Sequence, residues 1–144
     1  MMLGEDWRDF DMVPTSTHEI VNGELWISSQ VTGKVLWKGK PKGYDVTAVL
    51  PIEGLNDYIV LLEWLKSGLE NQKNLLRLDP YGNIVWEVGD PPKKIFHGLQ
   101  RGQESESYTQ IMIENSQLIA SSYSGFADYI NIETGYIFKS EFVK

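Results

Sequence analysis

The sequence predicts an all-β fold of antiparallel sheets built from a repeated unit. One nine-residue pattern, a polar turn with a glycine between two apolar segments, occurs in three versions. They are SQVTGKVLW at 29 to 37, LDPYGNIVW at 78 to 86 and NIETGYIFK at 131 to 139. Around these turns, apolar and polar residues alternate with the period of two that is typical of strands. No window combines a helical period with helix caps, so helices are not expected.

The turn glycines Gly33, Gly82 and Gly135 recur at intervals of about 50 residues. Such a period is typical of propeller blades or of another repeat array, with about four strands in each unit. We therefore interpret the chain as a single domain, residues 1–144, divided as follows: an acidic N-terminal segment at 1–16, a partial first unit at 17–43, a second unit at 44–92 and a third at 104–144.

The second unit has the clearest strand pattern. Its run DYIVLLEWL at 57 to 65 has a leucine content that also suits a helix. The β-branched and aromatic start of this run favours a strand, and its continuous apolar character favours one that is covered on both faces. The predicted strands of the two complete units are 44 to 53, 57 to 65, 74 to 79 and 83 to 88, then 107 to 114, 117 to 123, 127 to 133 and 136 to 143.

The first unit is shorter. Asn22 and Gly23 form the dipeptide preferred in two-residue hairpins, because both residues tolerate a positive φ. Strands are expected on either side of this hairpin turn, and a closing strand at 34 to 39. A counterpart of the first strand of the other units is missing, or it lies in residues 1 to 16. Trp26 and Trp64 fall in apolar segments and are expected in the core.

The stretches LDPYGNIVW and VTGKVLW resemble the repeat signature of quinoprotein-type, WD-like and related β-propellers. In that family a turn ending in glycine is followed by a short strand that ends in tryptophan, and the tryptophan packs between neighbouring blades. The resemblance implies structural roles for Gly33 with Trp37, for Gly82 with Trp86, and for Gly135.

The resemblance covers two to two and a half blades, whereas known propellers use about four to eight. Lys139 stands where the third copy would have its tryptophan, and the first copy lacks the aspartate of the turn. We expect antiparallel sheets of propeller-blade type, arranged as an open, partial propeller, as a sandwich, or as a ring closed by another copy. Quinone chemistry is not implied, because so few blades cannot form a central funnel.

Composition limits the functions that are open to the chain. The 144 residues include no cysteine, which excludes disulfides, thiol catalysis and thiolate metal sites. Twenty acidic and 13 basic residues give a net charge of −7. This charge argues against nucleic-acid binding and favours a basic partner. The N-terminus does not resemble a signal peptide and no apolar run is long enough for a membrane span, so we expect a cytoplasmic protein that does not bind membranes.

A catalytic constellation cannot be assembled from the sequence. His18 and His97 have no zinc-binding spacing, and a histidine in a loop is usually solvated. Phosphate-binding loops and nucleophile elbows are absent from the sequence. We therefore expect no catalytic residue, no cofactor and no metal, and a protein that is not an enzyme.

The physical profile is similar to that of small acidic immunity proteins of bacterial toxins, for example those of contact-dependent growth inhibition. We expect a protein that binds and occludes a basic, nuclease-type toxin domain. The alternatives are a propeller-like assembly module completed by a partner chain, with self-association through open sheet edges, and a β protein that binds a small molecule or a glycan. The candidate partner-binding residues are acidic and aromatic and lie outside the repeats: Glu5, Asp6, Trp7, Asp9, Phe10, Asp11, Glu104 and Glu106. For Trp7 and Phe10 the alternative is that the N-terminal segment folds back and covers the open edge of the first unit.

Reversing Asp6, Asp9 and Asp11 to Lys is expected to slow association with a basic toxin domain several-fold at low salt. Folding should be unaffected, because charged residues near a terminus contribute little to a core. Stopped-flow association rates and thermal melts measure the two effects. An unchanged association rate at low salt would place the contact surface elsewhere.

Overall fold

A computed structural model describes residues 15–63, 73–89, 95–96, 99–100, 108–122 and 125–142. Its strands form three antiparallel sheets and one short hairpin, which confirms the predicted all-β fold. Within each sheet the strands pair in the order in which they occur in the chain. Within the described residues, no helix has the length and hydropathy that a membrane crossing requires.

The strand bounds agree closely with the sequence pattern. Sheet 1 consists of β1 (Ser16–Val21), β2 (Glu24–Ser29) and β3 (Val35–Gly39); sheet 2 of β4 (Val46–Pro51), β5 (Tyr58–Leu62), β6 (Leu75–Leu78) and β7 (Ile84–Glu87); and sheet 3 of β10 (Tyr108–Glu114), β11 (Gln117–Ser122), β12 (Phe126–Ile130) and β13 (Ile137–Phe142). The hairpin of β8 (Ile95–Phe96) and β9 (Leu99–Gln100) was not predicted, because two-residue strands are too short to show a period.

The turn between the last two strands of each sheet is stabilised by one polar side chain. In sheet 3, Asn131 Oδ1 accepts hydrogen bonds from the backbone amides of residues 133 and 134, at 2.8 and 3.1 Å. Ser29 Oγ accepts the equivalent two bonds in sheet 1, at 3.3 and 3.2 Å. In sheet 2, Asp79 Oδ1 accepts from the amides of residues 81 and 83, both at 2.9 Å. Asp79 therefore stabilises its turn, and Ser29 has the same role in the first copy of the repeat.

A one-residue register shift follows each of these turns, on the last strand of the sheet. Such a β-bulge re-aims the side chains beyond it. Because the shift lies at the same place in all three sheets, Trp37, Trp86 and Lys139 occupy equivalent positions. They pair with Ile27, Arg77 and Tyr129 respectively.

Each of the two tryptophans packs on the turn glycine of the next sheet. A methyl group on Gly135 would lie 2.6 Å from the Trp86 indole, and one on Gly82 would overlap the Trp37 indole. Both glycines also have a positive φ, +79° and +84°. Any side chain at either position would therefore displace an indole and strain the backbone.

Sheet 2 is the centre of the array, because it is buried on both faces. Every residue of β5 is buried, which confirms the predicted doubly covered strand. The side chains of β5 and β6 alternate between two hydrophobic clusters, one shared with sheet 1 and the other shared with sheet 3. The first cluster includes Tyr58, Val60, Leu62, Leu76 and Leu78, and the second includes Ile59, Leu61 and Leu75.

The outer face of sheet 3 carries a polar group of three residues. Lys139 Nζ lies 4.6 Å from the centre of the Tyr129 ring and 3.3 Å from Glu141 Oε2. The Tyr129 hydroxyl donates a hydrogen bond to Glu141 at 3.0 Å, and this bond raises the pKa of Tyr129. Polar outer faces are typical of terminal repeats.

Sheet 1 has a similar group on its own outer face. Lys38 Nζ lies 4.6 Å from the centre of the Trp26 ring, and Trp26 Nε1 donates a hydrogen bond to Glu24 at 2.8 Å. Trp26 is partly exposed, so the expectation that it belongs to the core was wrong. The alternation of β2 places it on the face opposite Leu25 and Ile27. Trp64 lies outside the described residues.

Replacing Trp86 by Ala is expected to lower the free energy of unfolding by about 3–5 kcal/mol, since it leaves a cavity between sheets 2 and 3. Urea denaturation measures this change. The matched control is Trp26→Ala, which removes the same side chain from an outer face and should cost less than about 1.5 kcal/mol. Equal losses for the two variants would contradict the central role of the Trp86 contact.

Candidate binding groove between the second and third sheets

A groove of about 710 Å³ lies between sheets 2 and 3. It is formed by the loop between β4 and β5, the β10–β11 turn, the β12–β13 turn and the start of β13. Its volume falls within the range of protein binding sites. The lining residues are Ile52, Glu53, Leu55, Ile113, Asn115, Ser116, Gln117, Ile130, Asn131, Ile132, Glu133 and Phe138.

The floor of the groove is apolar and partly open to solvent. Leu55 is 53% exposed and Phe138 is 52% exposed, although both are large apolar side chains. Ile113 and Ile132 pack from the groove onto the core between the two sheets. Exposed apolar side chains that line a concave surface mark binding sites more often than scattered ones do.

The rim of the groove is acidic. Glu53 and Glu133 are exposed, and they come from different sheets. The other polar lining residues are neutral, and none of the lining residues that the structure describes is a lysine, arginine or histidine. Two carboxylates beside an apolar floor give this surface a negative potential, which attracts cationic groups.

The groove wall is held in place by a largely buried ion pair. Arg77 Nε donates to Asp57 Oδ2 at 2.8 Å, and Arg77 Nη2 lies 2.8 Å from the same oxygen. Arg77 Nη1 donates to the Ile132 carbonyl at 2.9 Å, and Trp86 Nε1 donates to that carbonyl at 2.6 Å. The turn that carries Glu133 is thereby fixed to sheet 2 by two hydrogen bonds.

A second buried polar group stabilises sheet 3 behind the groove. The Tyr108 hydroxyl donates to Asp128 Oδ2, and Ser140 Oγ donates to Asp128 Oδ1, both at 2.6 Å. Asn74 joins sheet 2 to the backbone of Tyr108, accepting from its amide and donating to its carbonyl at 3.0 Å. No role was predicted for these polar groups from the sequence, in which their only indication is a polar residue inside or next to an apolar strand.

A smaller cavity of about 330 Å³ lies where sheet 1 meets the loop between β4 and β5. There Ser16 Oγ donates to Asn56 Oδ1 at 2.8 Å and shares a 2.5 Å hydrogen bond with the Tyr58 hydroxyl. The Asp57 carboxylate also lines this cavity, and it is paired with Arg77.

His18 lies in β1, edge-on to the Tyr58 ring at 5.1 Å between ring centres. Burial lowers its pKa, because desolvation disfavours the charged form. The expectation of a solvated loop histidine was wrong, since the hairpin places His18 on the face of sheet 1 that meets sheet 2. His97 lies outside the described residues. Within the described part of the chain, no group of three or more His, Asp and Glu side chains is arranged to hold a metal ion.

The predicted partner-binding residues are not among those that the structure describes, so their role stays a prediction. The groove was not predicted either, because its parts come from turns about 60 residues apart that only the packing of two sheets brings together. The eight predicted partner-binding residues that lie outside the described part of the chain are Glu5, Asp6, Trp7, Asp9, Phe10, Asp11, Glu104 and Glu106.

Residues 43–142 match the domain of unknown function DUF7957. The chain belongs to this family. The matched region comprises sheets 2 and 3, and with them the whole of the groove, whereas sheet 1 precedes it. No functionally curated protein shows significant sequence similarity to the chain.

Solved structures with similar folds are much longer than this chain. One is BamB from Moraxella catarrhalis, a β-propeller-type protein, with a TM-score of 0.56 and 14% identity; the match covers 88% of this chain and 34% of BamB. Another is the computationally designed Ika8 protein, with a TM-score of 0.55 and 12% identity, covering 90% of this chain and 33% of Ika8. The chain thus spans about one third of the length of either protein. These similarities show a propeller-like fold.

Lowering the pH from about 7.5 to about 5.5 is expected to destabilise the wild-type chain more than its His18→Gln variant. The pKa of His18 in the folded chain is below its ordinary value of about 6.5. The unfolded chain therefore binds the proton more readily, and stability is lost as the pH falls from 6.5 through the folded-state pKa. Urea midpoints of both proteins at the two pH values test this. Parallel losses would show that His18 titrates normally.

Proposed function

We propose that the chain is a non-enzymatic protein-binding protein that holds a basic partner in the groove between sheets 2 and 3. The observation that carries this proposal is the composition of the groove. It has an apolar floor at Leu55 and Phe138 and carboxylates at Glu53 and Glu133, and its described lining includes no cationic residue. This surface is complementary to a segment in which lysine or arginine side chains flank an apolar anchor.

The charge of the whole chain supports the same kind of partner. A net charge of −7 raises the rate at which a basic protein meets the surface. The largely buried Arg77–Asp57 pair and the Trp86 contact keep the groove preformed, which reduces the entropy that binding must overcome.

The partner we propose is a nuclease-type toxin domain, so that the chain acts as its immunity protein by occlusion. The RNA-binding surface of such a toxin is rich in lysine and arginine, and an acidic inhibitor competes directly with the substrate backbone. The step from a basic partner to a toxin rests on the size and acidity of the chain.

A second candidate is an assembly module completed by another chain. It is favoured by one observation, namely that three sheets correspond to only about a third of the propeller-like structures that the chain resembles. Sedimentation of the purified protein separates the two candidates, because a stable monomer does not need a partner to complete its fold.

Glu133→Lys and Glu53→Lys are each expected to weaken binding of a basic toxin domain by about tenfold or more. Each reversal places a cation on a lining that has none among the described residues. The test is co-expression with a basic, nuclease-type toxin domain, taken from a neighbouring gene where one encodes such a domain, followed by growth and by titration of the purified pair. The matched control is Glu19→Lys, which makes the same change of charge at an exposed position of sheet 1.

Wild type and the control should rescue growth, and the two groove variants should lose rescue. Equal affinities for Glu133→Lys and Glu19→Lys would show that the groove is not the contact surface. Absence of both a complex and rescue with the wild-type chain would refute the immunity function.

A further inference from the structure

Two of the three equivalent turn glycines are covered by an indole, and one is bare. Trp37 covers Gly82 and Trp86 covers Gly135. At Gly33, by contrast, an added Cβ would meet nothing within 4 Å among the described residues. Among the described residues, the three sheets therefore present three seats for an indole, and the tryptophans described fill two of them.

The bare turn has the same construction as a filled one. Gly33 has a φ of +77° and Gly135 one of +79°. Thr32 Oγ1 accepts a hydrogen bond from the amide two residues later at 3.2 Å, and Thr134 Oγ1 does the same at 3.2 Å. The amide of each glycine also donates to the carbonyl four residues earlier, at 2.8 Å in both turns. The seat at Gly33 is thus already folded in the shape that receives Trp86 in sheet 3.

The acceptor for an indole N–H is also in place. Trp86 donates to the carbonyl of Ile132, three residues before Gly135. The residue three before Gly33 is Gln30, whose amide is fixed by a 2.8 Å hydrogen bond to Thr15. By this equivalence the Gln30 carbonyl is the acceptor that an incoming indole would use.

The face of sheet 1 around this seat is suited to a partner that can dissociate. Three polar residues of this face correspond in strand register to buried residues of sheet 2. They are Thr17, Glu19 and Ser28, which correspond to Tyr58, Val60 and Leu78 respectively. Val31, beside Gly33, is 79% exposed. A face with polar side chains around an apolar centre is typical of non-obligate interfaces.

A second copy of the chain cannot fill the seat in the same way. The position that would present the third tryptophan is Lys139, which is held by Tyr129 and Glu141. A tryptophan from a different protein meets no such obstacle, and its docking would continue the series of contacts that already joins sheet 1 to sheet 2 and sheet 2 to sheet 3. Trp7 and Trp64 of the chain itself lie outside the described residues.

We infer that the turn at Gly33 is a docking seat for a tryptophan side chain of a partner protein, which approaches sheet 1 as a preceding sheet would. The partner presents the tryptophan on an exposed β-strand, with the indole over Gly33 and its N–H on the Gln30 carbonyl. This surface is separate from the acidic groove, so it can be tested independently of the proposed function.

The probe for the seat is a chain that carries the missing tryptophan, Lys139→Trp. The wild-type chain should sediment as a monomer, and the Lys139→Trp chain should self-associate with increasing concentration. Adding Gly33→Asn should abolish the association, because a side chain there blocks the indole. Asn tolerates a positive φ and has open space at this position, so the single Gly33→Asn variant should melt close to wild type. Gly82→Asn is the matched control, and it should melt well below wild type because Trp37 already occupies that seat.

Several outcomes would overturn the inference. Association that survives Gly33→Asn would place the contact elsewhere, and a wild-type chain that associates through Gly33 would assign the seat to a second copy. If Lys139→Trp associates only after Trp7→Ala is added, the seat belongs to the chain itself and not to a partner.

A second measurement covers the case in which Lys139→Trp does not fold. A synthetic peptide of residues 74–89, which contains the strand of Trp86, is titrated into the wild-type chain while amide chemical shifts are recorded. Shifts centred on Gly33 that vanish when Trp86 of the peptide is replaced by Ala would support the seat. Absence of such shifts would refute it.

Discussion

The packing of an indole on a turn glycine of the next sheet is the contact on which the rest of the structure depends. It places Trp86 where its N–H reaches the Ile132 carbonyl, and Arg77 donates to that same carbonyl. The turn between β12 and β13 is thereby fixed relative to sheet 2, and with it the wall of the acidic groove. The β-bulge before each last-strand tryptophan aims the side chain across the gap between sheets, so a local irregularity determines how neighbouring sheets meet.

Much of the fold could be predicted because its strands and turns are determined by residues that are close to one another in the sequence. The strands are set by a period of two, and the turns by residues such as Asn22, Gly23 and Asp79 whose effect reaches only a few positions. The roles of Arg77 and Asp128 could not be predicted in this way, since a charged residue in an apolar strand is explained only by its partners. Asp57 lies 20 residues from Arg77, and Tyr108 lies 20 residues from Asp128.

The candidate site was harder to predict than the fold, because the sequence patterns that indicate a site are those of reactive side chains. The groove has no such group. The groove is the space that remains between two packed sheets. In the sequence, Glu53 and Glu133 look like ordinary turn residues, and only the packing of the two sheets brings them to one surface. The segment chosen from sequence, with Asp6 and Trp7, and the groove are two different hypotheses about how an acidic chain would meet a basic partner.

The strand order has a consequence for how the chain folds. Each sheet is made of consecutive strands, and every strand pairs with its neighbour in sequence, so no sheet has to wait for a distant part of the chain. Pairing between consecutive strands keeps the sequence separation of the contacts smaller than pairing between distant strands would, which favours faster formation of the individual sheets. The indole–glycine contacts join units that can form first on their own. Cooperativity therefore resides in the two junctions between sheets, as in other linear repeat arrays, where stability is a sum over units and their interfaces.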